Sequence, residues 1–260
     1  MAVARPHAAV KRVAAINTAP NAAMLRGMTQ GIDSAPRRAS LWTIAGLACV
    51  LLGPLLATTA PMQRIYLMAG SGLASVFVAQ SSLWVVLAAA LACHLYGDRL
   101  PLSAVGLVRP RLRSILLGLG VGASVYVGLY AIAFVLWKNG LFEAKAPASQ
   151  ILQWPLWLRL FMLITAGVAE EALYRGFAIE RLTALTGRRW LAALIALAAF
   201  VAAHVPFWGL GAIATPIVGG GFFTLVYLWR RDLVACMVAH LAVDSVGLLL
   251  APALGITSSE

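Results

Sequence analysis

The sequence predicts an all-α, polytopic transmembrane bundle of about seven or eight helices, and three observations lead there. Hydrophobic residues make up 62% of the 260 and charged residues only 11%, where a soluble domain carries about 25% charge. The mean hydropathy is +0.88. Apolar runs of about 20 residues recur along most of the chain, long enough to cross a hydrocarbon layer of about 30 Å as helices. Lipid offers no partner to free backbone groups, so such runs must cross as helices. The short alternating segments of a membrane barrel are absent.

Taken in order, residues 1–40 are Ala-rich, basic and weakly periodic, with Pro6, Pro20 and Pro36; they read as a disordered cytoplasmic tail. No hydrophobic run precedes residue 41, which argues against a cleaved secretory signal. Seven spans follow at about 41–60, 72–96, 115–137, 157–180, 190–207, 209–229 and 233–253. Residues 61–71, with Tyr66, Leu67 and Met68, form either an interfacial segment or an additional short helix. Seven of the eight tryptophans (Trp42, Trp137, Trp154, Trp157, Trp190, Trp208 and Trp229) fall at or near span ends, the place of an aromatic belt. Arg159 is expected to snorkel to the interface. Pro206 and Pro216 are expected to interrupt helices. Gly219–Gly221 and Gly118, Gly120 and Gly122 read as close helix packing, because no Lys-Ser/Thr follows to make a phosphate loop. The parts are then a tail (1–40), N-terminal transmembrane helices with a cytoplasmic loop (41–114), a helical core (115–253) and a short tail (254–260).

The net charge of +11 orients the protein. With a cytoplasmic N-terminus, that side holds fifteen Lys and Arg residues, and the opposite side holds Arg64, Lys138 and Lys145. This is the positive-inside asymmetry of an integral membrane protein. It leaves no soluble basic face for nucleic acid, and the expected location is a bacterial cytoplasmic (inner) membrane. Cys49, Cys93 and Cys236 lie on separate spans and read as packing residues.

Charge inside the spans is scarce and therefore informative. An ionised side chain in lipid costs roughly 3 kcal/mol on insertion scales, so such residues are functional candidates. Glu170, Glu171 and Arg175 lie on the fourth span, His204 on the fifth, and His240 and Asp244 on the seventh. Glu171 and Arg175 are spaced i,i+4 and can pair. That pairing leaves Glu170 as the less compensated carboxylate, suited to act as a general base. Tyr174, i+4 from Glu170, can offer it a hydroxyl. At 1.5 Å per residue, Glu170, His204 and His240 lie roughly 16, 21 and 12 Å from the cytoplasmic ends of their helices. Three helices can thus present them to one cavity.

The strings Glu170-Glu-Ala-Leu-Tyr-Arg175, Phe200-Val-Ala-Ala-His204 and His240-Leu-Ala-Val-Asp244 resemble, in order, the three motifs of the CPBP family of CAAX-protease and bacteriocin-processing intramembrane endopeptidases. The resemblance covers about residues 115–253. It implies an intramembrane catalytic cavity open towards the cytoplasm and peptide-bond hydrolysis by a glutamate-activated water. Carried over by motif position, Glu170 is the base and His204 positions the water. Glu171 and Arg175 support the base, and His240 with residue 244 holds the oxyanion. The departure is Asp244, where the family more often has asparagine. An ionised aspartate has no proton to donate, so Asp244 is expected to orient His240.

No cofactor is expected. Glu170, His204 and His240 equal a zinc site in ligand number, so a metalloprotease variant stays open. The expected partners are the lipid bilayer and a protein or peptide substrate with a lipidated or hydrophobic terminus. Two other functions stay open: a non-catalytic immunity or regulatory protein of the same fold, and a proton-coupled transporter.

Overall fold

The computed structural model describes residues 40–68, 70–139, 151, 153–208, 213–250 and 253. The expected tails, but for Ser40, and the side chains of Trp137 and Trp208 lie outside the described residues. Among the described residues the chain is helical, with no strand. The helices are α1 (Leu41–Ala57), α2 (Ala60–Met68), α3 (Leu73–Ala92), α4 (Leu112–Lys138), α5 (Leu156–Ile164), α6 (Ile179–Thr186), α7 (Arg189–Trp208), α8 (Ala214–Arg230) and α9 (Leu233–Ser245). Wide π-type turns at Thr165–Glu170 and Ala172–Ala178 join α5 to α6 as one rod.

Among the described residues, four stretches are long and apolar enough to cross a membrane: Leu73–Gly97, Leu112–Ile132, Arg189–Pro206 and Leu233–Leu250. A fifth arises if α1 and α2, bent by 73° at their junction, count as one span. The segment around Tyr66–Met68 is thus a short helix lying across α1. The rod at 156–186 has the length but carries too many charges, and α8, with 17 residues, spans only about 25 Å. Spans four and six are therefore helices whose place in the membrane rests on their neighbours. Leu116, Val127 and Tyr130 on α4 and Leu194 on α7 are each at least 59% exposed. Apolar surface of that extent on spanning helices is a lipid-facing surface.

The rod lies at the centre, touched by α1, α3, α7, α8 and α9, while α9 runs along α4. Gly118 and Gly122 permit that last approach, since a Cβ at either would strike the backbone of α9. Around the rod, Val50, Leu87, Leu173, Phe177, Ile179, Ala196, Phe200, Tyr227 and Cys236 form the main core. Capping joins the helix ends. The Ser40 hydroxyl caps α1 at Thr43 N and donates to Asp98, which also accepts from Thr43 Oγ1 at 2.6 Å. Asp232 caps α9 through Ala235 N and accepts from Ser114 Oγ at 2.6 Å, fixing the start of α4 to that of α9.

Some expectations are revised. Pro206 lies within the last turn of α7, and Pro216 in the first turn of α8, where its missing N–H has no partner to lose. They mark helix ends rather than breaks. Arg159 does not simply extend to the interface: it donates to Trp154 O and Leu248 O at 3.0 and 2.8 Å. Trp42, Trp157, Trp190 and Trp229 are each more than half exposed, as a belt requires.

Candidate active site

The two adjacent glutamates face different surroundings. Glu171 is fully buried, and its Oε1 accepts from Arg175 Nη1 and from His240 Nδ1, each at 2.8 Å. Arg175 sends Nη2 to the carbonyl of Gly220 at 2.9 Å. Its guanidinium lies 4.4 Å from the centre of the Phe200 ring and 5.8 Å from that of Phe223. A buried arginine needs both a counter-charge and acceptors for its donors; here α8 supplies the carbonyl. Glycine at 220 is required for it, because a Cβ there would stand 2.8 Å from the Phe200 ring and 3.1 Å from Nη2. Of the Gly219–Gly221 run only Gly220 is closely packed; a Cβ at Gly219 would meet nothing nearer than 4.0 Å, and at Gly221, as at Gly120, nothing within 4 Å, so close packing is not what those positions show.

Among the described residues Glu170 has no hydrogen-bond partner; its Oε2, like Glu171 Oε2, is buried without one. Its closest ionisable neighbour is His204, with Nε2 at 3.8 Å from that oxygen. His204 Nδ1 is 2.8 Å from Phe200 O, and a carbonyl only accepts, so Nδ1 carries the proton. In the neutral ring Nε2 then presents a lone pair towards Glu170. The imidazole also lies against the Phe200 ring, tilted by 44° with 4.3 Å between centres. Phe200 thus orients His204 by its carbonyl and ring while supporting Arg175 by its face. The side chains of Glu170 and His204 are 15% and 21% exposed, so this pair borders accessible space.

His240 differs from expectation. Its Nδ1 is bound by Glu171, and its Nε2 stands 3.5 Å from Asp244 Oδ2, beyond a firm hydrogen bond. Glu171, from 69 residues away, is the closer orienting group, and Asp244 closes the other side of the ring loosely. Tyr174 also differs: its buried hydroxyl makes no hydrogen bond to Glu170, and its ring packs edge-on against Phe200. The charged candidates meet as two groups: Glu170 with His204, and Glu171 with Arg175 and His240, which Asp244 adjoins.

Glu170, His204 and His240, the donors of the zinc alternative, are not gathered into one ligand set among the described residues. Both nitrogens of His240 face carboxylates outside the Glu170–His204 couple, and among the described residues no three His, Cys, Asp or Glu side chains are placed to hold a metal ion. Cys236 is buried, with its thiol towards Phe223 O.

Sequence reasoning missed Glu180. It is 9% exposed; its Oε1 accepts from Tyr227 Oη and Arg231 Nε, each at 2.9 Å, and its Oε2 from Arg231 Nη2 at 2.7 Å. The signal was Arg231, a charge expected only to orient the chain. Arg231 has φ +51° and ends α8 in the left-handed region, which turns its side chain back along the helix to Glu180. His94, fully buried, bonds Pro101 O at 3.0 Å and serves the loop rather than the site.

Residues 152–246 match the family model of the type II CAAX prenyl endopeptidases, Rce1-like. The matched stretch contains Glu170, Glu171, Tyr174, Arg175, His204, His240 and Asp244 and agrees with the resemblance carried by the three motifs. It is narrower than the 115–253 core and does not reach α4. No curated protein and no solved structure matches the chain.

Proposed function

We propose that this chain is an intramembrane endopeptidase that hydrolyses a peptide bond of a membrane-associated protein with a water activated by Glu170. The observation that carries this reading is the open couple: a carboxylate oxygen without a hydrogen bond, 3.8 Å from an imidazole nitrogen whose partner nitrogen is tied to the backbone. Two hydrogen bonds of about 2.8 Å close a triangle over such a gap. A water seated there donates one proton to Glu170 and one to His204 and keeps a lone pair for a carbonyl carbon. Glu170 takes a proton as the C–O bond forms. It returns that proton to the leaving nitrogen as the C–N bond breaks.

Glu171, Arg175 and His240 form the support. Glu171 Oε1 is held by two cationic or donor groups, which leaves Glu170 as the carboxylate outside an ion pair with arginine and the one assigned to take the proton of the attacking water. An imidazole with a proton on each nitrogen satisfies Glu171 through Nδ1 and directs Nε2 towards Asp244 and the cavity. There it donates to the oxyanion of the tetrahedral intermediate. The mechanism uses no metal. The substrate enters from the bilayer and is cut near its cytoplasmic face; prenylated C-termini, secreted-peptide leaders and C-terminal anchors are the candidate classes.

Comparative proteomics of membrane fractions bearing wild type or Glu170→Gln tests the reading. New N-termini that appear with wild type and are missing with the variant support it. Full biological activity of Glu170→Gln, with no cleaved peptide, would favour a non-catalytic regulatory protein.

A further inference from the structure

A second polar cluster lies at the far end of the rod, away from Glu170. Arg181, on α6, is 8% exposed and makes no hydrogen bond to any described residue; its Nε is fully buried without an acceptor. Arg189, at the start of α7, is 37% exposed at its side chain, yet its Nε and Nη2 are buried without hydrogen bonds to described residues, with Glu180 Oε1 at 3.7 Å. Arg231 neighbours both through Glu180.

The nearby acids make no hydrogen bond to these donors. Glu180 spends its oxygens on Tyr227 and Arg231. Asp98 accepts from the hydroxyls of Ser40 and Thr43 at the start of α1. Three guanidinium groups therefore gather around one carboxylate, with three buried N–H-bearing nitrogens left over. A buried donor without an acceptor costs about 1–3 kcal/mol, more when charged. Native proteins resolve such groups with water or an ion. Arginine's planar fork suits the oxygens of a phosphate.

We propose that Arg181 and Arg189 form a binding site for a phosphate group, separate from the peptidase centre. At the basic end of a membrane helix, the phosphodiester of an anionic lipid headgroup is the favoured source; a soluble phosphate is the other. The site rests on the positions of α6 and α7 and not on the chemistry at Glu170.

The test uses the purified full chain in nanodiscs of phosphatidylcholine with or without phosphatidylglycerol, reading co-purified phosphatidylglycerol by mass spectrometry and unfolding temperature in each lipid. A third arm adds inorganic phosphate to the chain in detergent. Each of Arg181→Gln and Arg189→Gln is expected to weaken phosphatidylglycerol retention about fivefold, the effect of one interfacial arginine. The exposed residues Arg188 and Arg230, changed to Gln, should leave retention nearly unchanged. Arg181→Lys controls for folding and should retain part of the binding. Stabilisation by inorganic phosphate that is lost in Arg181→Gln assigns the site to a soluble phosphate. Equal losses for Arg188→Gln and Arg181→Gln would mean diffuse surface charge and overturn the site, as would no response to either phosphate source. Failure of peptide cleavage leaves this outcome unaffected, since every readout is of binding.

Discussion

The middle and the far end of the 156–186 rod treat buried charge in opposite ways. At the middle, Glu171 is bound by Arg175 and His240, while its neighbour Glu170 has no hydrogen-bond partner among the described residues. At the far end, Glu180 is bound by Arg231 and Tyr227, while Arg181 is left as an unpaired donor. Each place therefore contains one ion-paired carboxylate beside a group that has no hydrogen-bond partner, although Glu171 keeps one oxygen, Oε2, buried and unbonded. A carboxylate without a partner is equipped to take a proton; a guanidinium without one is equipped to hold an anion. The lesson is that pairing at these sites is selective: an ion pair stands next to a group of opposite kind that is left without one.

The largest effect should come from the open acceptor. Glu170→Gln keeps the shape and removes the base, so cleavage of a reporter peptide by the purified protein should fall by about 10²- to 10⁴-fold with little change in unfolding temperature. A comparable loss of stability would show instead that Glu170 belongs to the structural pair. Arg175→Met is the converse. It leaves Glu171 buried beside His240 with one partner gone, and should cost about 3–5 kcal/mol in unfolding measured in detergent. Gly220→Ala probes the same contact from α8. With 2.8 Å to Phe200 and 3.1 Å to Arg175, it should cost about 1–3 kcal/mol.

At the other end, Tyr227→Phe removes one hydrogen bond to Glu180 and should cost roughly 1.5 kcal/mol, with cleavage unchanged. If cleavage fell with it, the two places would be coupled through the rod. The smallest effect is expected for Asp244→Asn. The carboxylate stands 3.5 Å from His240 and is 31% exposed, so its amide should keep reporter cleavage within about tenfold of wild type. A collapse of activity would make Asp244, rather than Glu171, the group that orients His240.

Much of the site could be read before the structure because it depends on local helix geometry. The i,i+4 spacing of Glu171 and Arg175 is enough to pair them, and that pairing singles out Glu170 without knowledge of any other helix. Tyr174 shows the limit of the same reasoning. Its spacing from Glu170 is equally favourable, yet the ring is held edge-on to Phe200, a residue of α7. His240 shows the limit from the other side. Asp244 is its neighbour along α9, but the shorter bond goes to Glu171 on another element.

The amino-acid pattern alone determined that the chain is helical and integral to a membrane, where the unpaired charges lie, and which glutamate is the open one. Those properties follow from hydropathy and from a fixed rise per residue, and both act over a few turns. The tertiary structure alone decided that Glu171 holds His240, that a glycine carbonyl on α8 completes Arg175, that α1 bends into α2, and that Arg231 reaches back to Glu180. These contacts join residues 45 to 69 positions apart, or depend on a bend at a junction. Side-chain valences at that separation are assigned by how the helices pack, and no local period encodes the packing.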